Sequence, residues 1–386
     1  METKDQNGFD EIRPVRDNEV RKITKQLTEN TTFQRLVKPL IKPVPWFIFS
    51  RVMRSCKSVY DFQKKIIYPF MKRIIRKTTS ELSADGFHHI GQSESSLFIS
   101  NHRDIVLDAA FLNILFFDKK MNTCEIAIGD NLLIHPWITD LVRLNKSFIV
   151  KRKVSVREMI ATSMQLSEYI YDTINRRKQS VWLAQREGRA KDSDDKTQTS
   201  LLKMLTLYDS AKPLESLSAL NIVPLAISYE YDPCDYLKAK EFQQKRDNPD
   251  HKKSQSDDIE NMKTGITGFK GRVKFNFGTP INEAISKIDP TQKKSLIFDA
   301  VADVIDKEIY KNYHFFPINY VAYDLMEGNA QFAHQYTEEE KSQFETYLEQ
   351  QVEKVNLKDK DEDFLRDKII EMYANTLKNH LKVSTQ

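Results

Sequence analysis

Ser96-Leu97-Phe98-Ile99-Ser100-Asn101-His102-Arg103-Asp104-Ile105-Val106-Leu107-Asp108 is the stretch on which the reading of the fold turns. A short apolar run, Leu97 to Ile99, stops at a polar cluster, and a second apolar run from Ala109 to Phe117 follows with helical character. A strand that delivers a histidine and carboxylates to the mouth of a helix is one way to build a general base. The imidazole takes up a proton near neutral pH, and a carboxylate on its other nitrogen fixes the tautomer. The bland alternative is a surface histidine beside a helix cap, and this segment alone leaves both open.

Outward from that segment, strand-like runs alternate with helical ones. Strands are expected at 97–100, 125–128, 147–150, 181–184, 222–229 and 272–277, and helices at 106–117, 132–144 and 156–177. This alternation predicts an α/β domain around a central sheet. Residues 234–268 are polar and read as a long surface loop or helical excursion. From Thr337 onward the chain is charged, with apolar residues such as Phe344, Leu348, Val352, Ile369, Ile370 and Tyr373 at helical spacing, so helices packed on the domain are expected. The divisions expected are 1–80, 81–330 and 331–386.

Composition narrows the function classes. With only 10 glycines in 386 residues, and neither GxGxxG nor GxxxxGK[ST], a glycine-rich nucleotide-binding fold is disfavoured. Three scattered cysteines, Cys56, Cys124 and Cys234, offer no disulfide framework or zinc spacing and point to a reducing compartment. The charged start has no apolar signal-peptide core, and no run reaches the roughly 18 apolar residues of a membrane span.

The formal net charge of +4 conceals a basic segment. Residues 31–80 hold twelve Lys or Arg against one acid, Asp61, whereas residues 81–386 hold 41 basic against 47 acidic residues. The basic segment interleaves its cations with Pro45-Trp46-Phe47-Ile48-Phe49 and Ile66-Ile67-Tyr68-Pro69-Phe70. Basic, aromatic-rich amphipathic helices can lie in a lipid interface, so an anionic membrane surface is the partner expected, with Trp46, Phe47 and Phe49 inserting. An apolar face packed on the core, or a nucleic-acid surface, are the other readings.

Three further strand ends carry chemistry. Ser147-Phe148-Ile149-Val150 runs into Lys151-Arg152-Lys153, Trp182-Leu183-Ala184-Gln185 into Arg186-Glu187-Gly188-Arg189, and Ile222-Val223-Pro224-Leu225 carries a proline. Ligands of α/β sheets bind at strand ends, and cations arriving there suit a phosphate.

In this order the segments resemble the glycerolipid acyltransferases that acylate glycerol 3-phosphate or lysophosphatidic acid. Asn101-His102 with Asp108 is similar to the family's first block, Phe148-Ile149-Val150-Lys151-Arg152 to its second, Glu187-Gly188-Arg189 to its third, and Ile222-Val223-Pro224-Leu225 to its fourth. Arg272 to Ile281, ending Gly278-Thr279-Pro280-Ile281, is similar to the closing strand and turn. The resemblance covers roughly residues 85–285, and the ordered set is far more specific than any one block. In this chain five residues, not four, separate His102 from Asp108, and Gly188 abuts Arg189.

The resemblance implies an acyltransferase-type α/β domain with a central mixed sheet flanked by helices, preceded by amphipathic helices and followed by a helical tail. It implies an enzyme of phospholipid synthesis, with His102 as general base and Asp108, or alternatively Asp104, as its carboxylate. It places Asn101, Lys151, Arg152, Glu187, Gly188, Arg189 and Pro224 at the substrate. No cofactor or metal is implied. The co-substrate is acyl-CoA or an acyl carrier protein, the acceptor is a phosphorylated glycerolipid, and the location is the cytoplasmic face of a membrane. A different acceptor, such as a lysophospholipid or an amino-acid lipid, and a non-catalytic membrane-binding protein on the same fold are the alternatives.

Overall fold

The computed structural model describes residues 6–91, 94–152 and 154–384. Lys153, the third cation after the 147–150 strand, lies outside them. Seven strands form one sheet in the order β1-β7-β6-β2-β5-β3-β4. They are β1 (Glu81–Asp85), β2 (Leu97–Ser100), β3 (Glu125–Gly129), β4 (Ser147–Val150), β5 (Val181–Ala184), β6 (Ile222–Tyr229) and β7 (Arg272–Phe277). Strands β2 to β6 run parallel, β7 is antiparallel to β6, and β1 is parallel to β7. The sheet is therefore mixed, as expected, and five strands bring their carboxyl ends to one edge. β1 was not anticipated: Glu81-Leu82-Ser83-Ala84-Asp85 is a polar edge strand without a buried face.

β2 lies at the middle, between β5 and β6, and all four of its residues are buried. A continuous apolar run is what a strand covered on both faces requires. Helices α1 (Val20–Glu29), α2 (Thr31–Leu40), α3 (Trp46–Arg54), α4 (Val59–Phe62) and α5 (Tyr68–Thr78) precede the sheet. α6 (Leu107–Asp118) follows β2, α7 (Pro136–Leu144) joins β3 to β4, and α8 (Val156–Asn175) joins β4 to β5. α9 (Thr199–Leu205) and α10 (Pro213–Ser218) lead to β6, and α11 (Asp235–Asp247) and α12 (Gln255–Thr267) lead to β7. α13 (Asn282–Ser286), α14 (Lys294–Lys311), α15 (Pro317–Glu327), α16 (Glu338–Glu353) and α17 (Glu362–Ser384) complete the chain.

Two apolar layers sandwich the sheet. Phe98, Trp182, Val223, Leu225 and Phe275 pack with Phe111, Leu112 and Leu115 of α6 and Met71 of α5. Leu97, Ile99, Leu183 and Ile222 pack on the other face with Tyr169 and Ile170 of α8 and Val301 and Ile305 of α14. α6 is apolar nearly all round, as a helix enclosed by neighbours must be. A third cluster gathers Phe316, Ile318 and Val321 of the α15 region with Phe344 and Leu348 of α16 and Leu365, Ile369 and Tyr373 of α17.

The polar stretch 234–268 is helical, and its polarity is partly interior. Asp235 of α11 is fully buried and accepts from Tyr347 of α16 at 2.6 Å and from Tyr373 of α17 at 2.9 Å. Burial pushes its carboxyl up to about 7, against the lowering pull of the Tyr347 hydrogen bond. With the folded value above the unfolded one, the folded state holds the proton more tightly. This group's contribution to stability is thus full at low pH and is lost as pH rises from about 4 through 7. Asp235→Asn keeps an acceptor for the tyrosines without that charge. In urea titrations at pH 5 and pH 8, the stability of Asp235→Asn relative to wild type should be higher at pH 8 than at pH 5. An equal difference at both pH values would show that Asp235 does not titrate in this window.

Candidate active site

The chain leaves β2 and turns at once into α6, and one carboxylate oxygen holds that turn together. Asp108 Oδ2 accepts from the Arg103 N–H at 2.7 Å and the Asp104 N–H at 3.1 Å, and lies 2.8 Å from His102 Nδ1. Asp108 is 0 % exposed. Its position in the first turn of α6 also suits a negative charge. With Nδ1 engaged, the Nε2 side of the His102 ring is left for a substrate. The edge of Trp182 lies against the same ring, with centroids 5.7 Å apart, and its indole N–H donates to Ser100 Oγ at 3.0 Å.

Asp104 does a different job. Its Oδ1 accepts from the N–H groups of Val106 and Leu107 at 2.8 and 2.7 Å, so it caps α6 rather than touching His102. Burial, and then the neighbouring charge of Asp108, push its carboxyl up. α12 presses on it from outside: a Cβ on Gly265 would fall 2.0 Å from Asp104 Oδ2. Only glycine allows that approach.

Two residues expected at the substrate make their contacts within the fold. Asn101 is fully buried, donates to the Ile227 carbonyl at 2.9 Å and accepts from the Ile227 N–H at 2.8 Å. Its amide thus continues the β2–β6 pairing past the end of the strand. Pro224 is buried within β6, paired in register with Ile99, and its carbonyl accepts from Gly278. Neither presents a free polar group to a ligand.

The cations expected to share one anion have separate partners. Lys151 pairs with Glu11 of the N-terminal segment. Arg152 pairs with Glu187 at 3.1 Å, which joins the ends of β4 and β5. Gly188, exposed and with φ +70°, turns the chain there. Arg189 points the other way: its Nη2 donates to Asn261 of α12 at 2.9 Å, and its Nη1 is buried without a partner.

Around the turn lies a buried layer of charge that the sequence reading did not single out. Arg103 holds Asp195 through two bonds of 3.0 and 2.6 Å, and Tyr313 donates to the same carboxylate at 2.5 Å. Burial works against the Arg103 charge, but Asp195 more than offsets it and keeps the guanidinium above its ordinary value. Lys238 pairs with Asp232, which stays below the usual carboxylate range although burial opposes it. Lys270, 0 % exposed, donates to the Gly268 carbonyl at 2.6 Å, and burial draws its ammonium down to about 8. Apart from Arg103, which adjoins it, these residues lie far from His102 in sequence, and no local pattern marks them. Among the described residues no group of three or more His, Cys, Asp or Glu side chains is placed to hold a metal.

Residues 81–228 match the family model for acyltransferases. No curated protein matches the chain. Among solved structures, the 1-acyl-sn-glycerophosphate (LPA) acyltransferase PlsC from Thermotoga maritima aligns with 74% of this chain and 97% of that chain, at 12% identity and a TM-score of 0.35. The matched segment, residues 81–228, contains His102, Asp108 and the 187–189 turn.

Removing one member of a buried ion pair strands the other, at a cost of about 3–5 kcal/mol. Asp195→Leu should therefore destabilise the protein by about that much, whereas Arg103→Met with Asp195→Leu should cost clearly less than the sum of the two single changes. Chemical denaturation of the four proteins of the cycle measures it, and additive costs would show that the pair is not coupled.

Proposed function

We propose that this chain moves a fatty acyl group from a thioester, acyl-CoA or acyl carrier protein, to a hydroxyl of glycerol 3-phosphate or lysophosphatidic acid in phospholipid synthesis. The observation that carries the reading is the 2.8 Å contact of His102 Nδ1 with Asp108, at the carboxyl end of the central strand of an acyltransferase-family domain. His102 Nε2 takes the hydroxyl proton as the oxygen attacks the thioester carbonyl. The tetrahedral adduct then expels the thiolate, which recovers the proton from the imidazolium. Asp108 holds the ring in the tautomer that leaves Nε2 free and stabilises its charge while it lasts. No enzyme nucleophile is required.

Lys151, Arg152 and Arg189 are the cations for the acceptor phosphate in this reading. An arriving phosphate takes Arg152 over from Glu187 and Arg189 from Asn261, and the hydroxyl is positioned by that grip. The bond from Arg189 to Asn261 also favours a second reading, in which the acceptor is a lysophospholipid or amino-acid lipid that leaves Arg189 in place.

The basic N-terminal helices suit an anionic membrane surface. Leu36, Leu40, Val44, Phe47 and Ile48 are exposed on α2, α3 and their connection, with Phe47 70 % exposed, among the exposed cations Arg35, Lys38, Lys42, Arg51 and Arg54. Trp46 and Phe49, expected to insert, turn inward against a core that includes Phe33 and Met53. No helix among the described residues is long and apolar enough to cross a membrane. The surface cations draw the tip to the lipid and the apolar residues hold it there.

His102→Ala should lower acyl transfer by roughly 10²-fold or more with the fold intact. Purified protein given one acyl thioester and a panel of acceptors, with products read by mass spectrometry, checks both the rate and the acceptor. Undiminished transfer by a folded His102→Ala protein contradicts the mechanism.

Vesicle co-sedimentation tests the membrane reading. Binding should increase with anionic lipid, decrease with salt, and fall in Leu40→Glu/Phe47→Glu. Indifference to anionic lipid would leave the basic residues as a solvated face.

A further inference from the structure

Among the buried polar atoms of the described residues that lack a hydrogen-bond partner, two belong to the turn and the strand beside it: Asp108 Oδ1 and the hydroxyl of Tyr229. They are an acceptor and a donor, and the fold places them together. Tyr229 is the last residue of β6, the strand beside β2. Its ring stacks on Phe111, with centroids 6.4 Å apart and planes 30° apart. Phe111 follows Asp108 by three residues on α6, so the two share one face of that helix. The ring therefore lies along the face of α6 that carries Asp108.

We propose that Tyr229 is the positioning residue of the acyl-transfer site: its hydroxyl donates to Asp108 Oδ1 and fixes the carboxylate whose Oδ2 holds His102. The inference rests on the acyl-transfer reading above, and it concerns which group controls the base.

Asp108 needs this second anchor. All three of its observed donors converge on Oδ2, leaving one oxygen of a fully buried carboxylate unsatisfied. A buried, unpaired acceptor is costly, and an anionic one more so. One satisfied oxygen also allows the carboxylate to pivot about it, which would swing the imidazole. Asp104, the other acid nearby, already spends Oδ1 on two backbone amides. Burial, and then the charge of Asp108, push the Tyr229 phenol well up, so it remains a donor at neutral pH. The rival partner is water in a cavity lined by Arg103, Ser228, Tyr229, Asp232, His314 and Tyr373. That arrangement would leave His102 untouched by a change at Tyr229.

Tyr229→Phe removes the hydroxyl and keeps the ring on Phe111. Without its donor, the Asp108 charge concentrates on Oδ2 and favours the imidazolium. The ¹⁵N resonances of the His102 ring, assigned by their loss in His102→Ala, should titrate at higher pH in Tyr229→Phe than in wild type. The acid limb of kcat/KM should shift the same way. The value of kcat should fall roughly tenfold, the scale of one hydrogen bond to a charged group, with acceptor KM within about twofold. An unmoved His102 titration overturns the proposal, even if activity falls. A shifted titration in a protein that transfers no acyl group would uphold the contact and sink the acyl-transfer reading. Wild-type transfer abolished by His102→Ala, with Tyr229→Phe like wild type in both measurements, would sink only the role of Tyr229.

Discussion

One carboxylate oxygen organises the site. Asp108 Oδ2 gathers two backbone N–H groups and the His102 ring, and so closes the turn between the central strand and the helix under the sheet. The backbone bonds are what a tight turn needs to bury its polar groups. The imidazole contact is what a base needs to be aimed. A single side chain meets both demands, so fold and chemistry are coupled at this point.

The surroundings extend that coupling outward. Arg103, whose N–H is held by Asp108, sends its side chain down to Asp195, and Asp195 receives Tyr313 from beyond α14. The 190s loop is gripped further by α17, where Asn375 donates to the Asp192 carbonyl at 2.9 Å. On the other side, α12 contacts Asp104 through Gly265 and Arg189 through Asn261. Helices α12 and α17 thus brace the turn and its neighbouring loop. Buried ion pairs add little net stability, but breaking one is expensive, which makes the turn hard to deform.

The sheet was legible because its strands are short apolar runs ending in polar clusters. The positions of β2, β3, β4, β5, β6 and β7 followed from that pattern, with β3 one residue longer than expected. β1 was not, because an edge strand with one neighbour carries no such signature. The proximity of His102 and Asp108 was open to a reading of spacing, given a turn before the helix. The fate of Asn101 was not: nothing in its neighbours tells that Ile227, 126 residues on, needs its amide. The same holds for the polar stretch 234–268, whose Asp235 finds Tyr347 and Tyr373 only after the chain has closed. Amphipathicity located the basic helices, but which aromatics face outward depended on packing. Trp46 and Phe49 turned in, and Phe47 out.

The central claim is that the charge of Asp108 makes His102 a base for acyl transfer to a hydroxyl. Asp108→Asn removes that charge at nearly constant size. Single-turnover transfer from a radiolabelled acyl thioester to lysophosphatidic acid, by protein shown to be folded, measures the effect. The account predicts a rate lower by roughly 10²- to 10⁴-fold. Transfer at the wild-type rate by folded Asp108→Asn would contradict it.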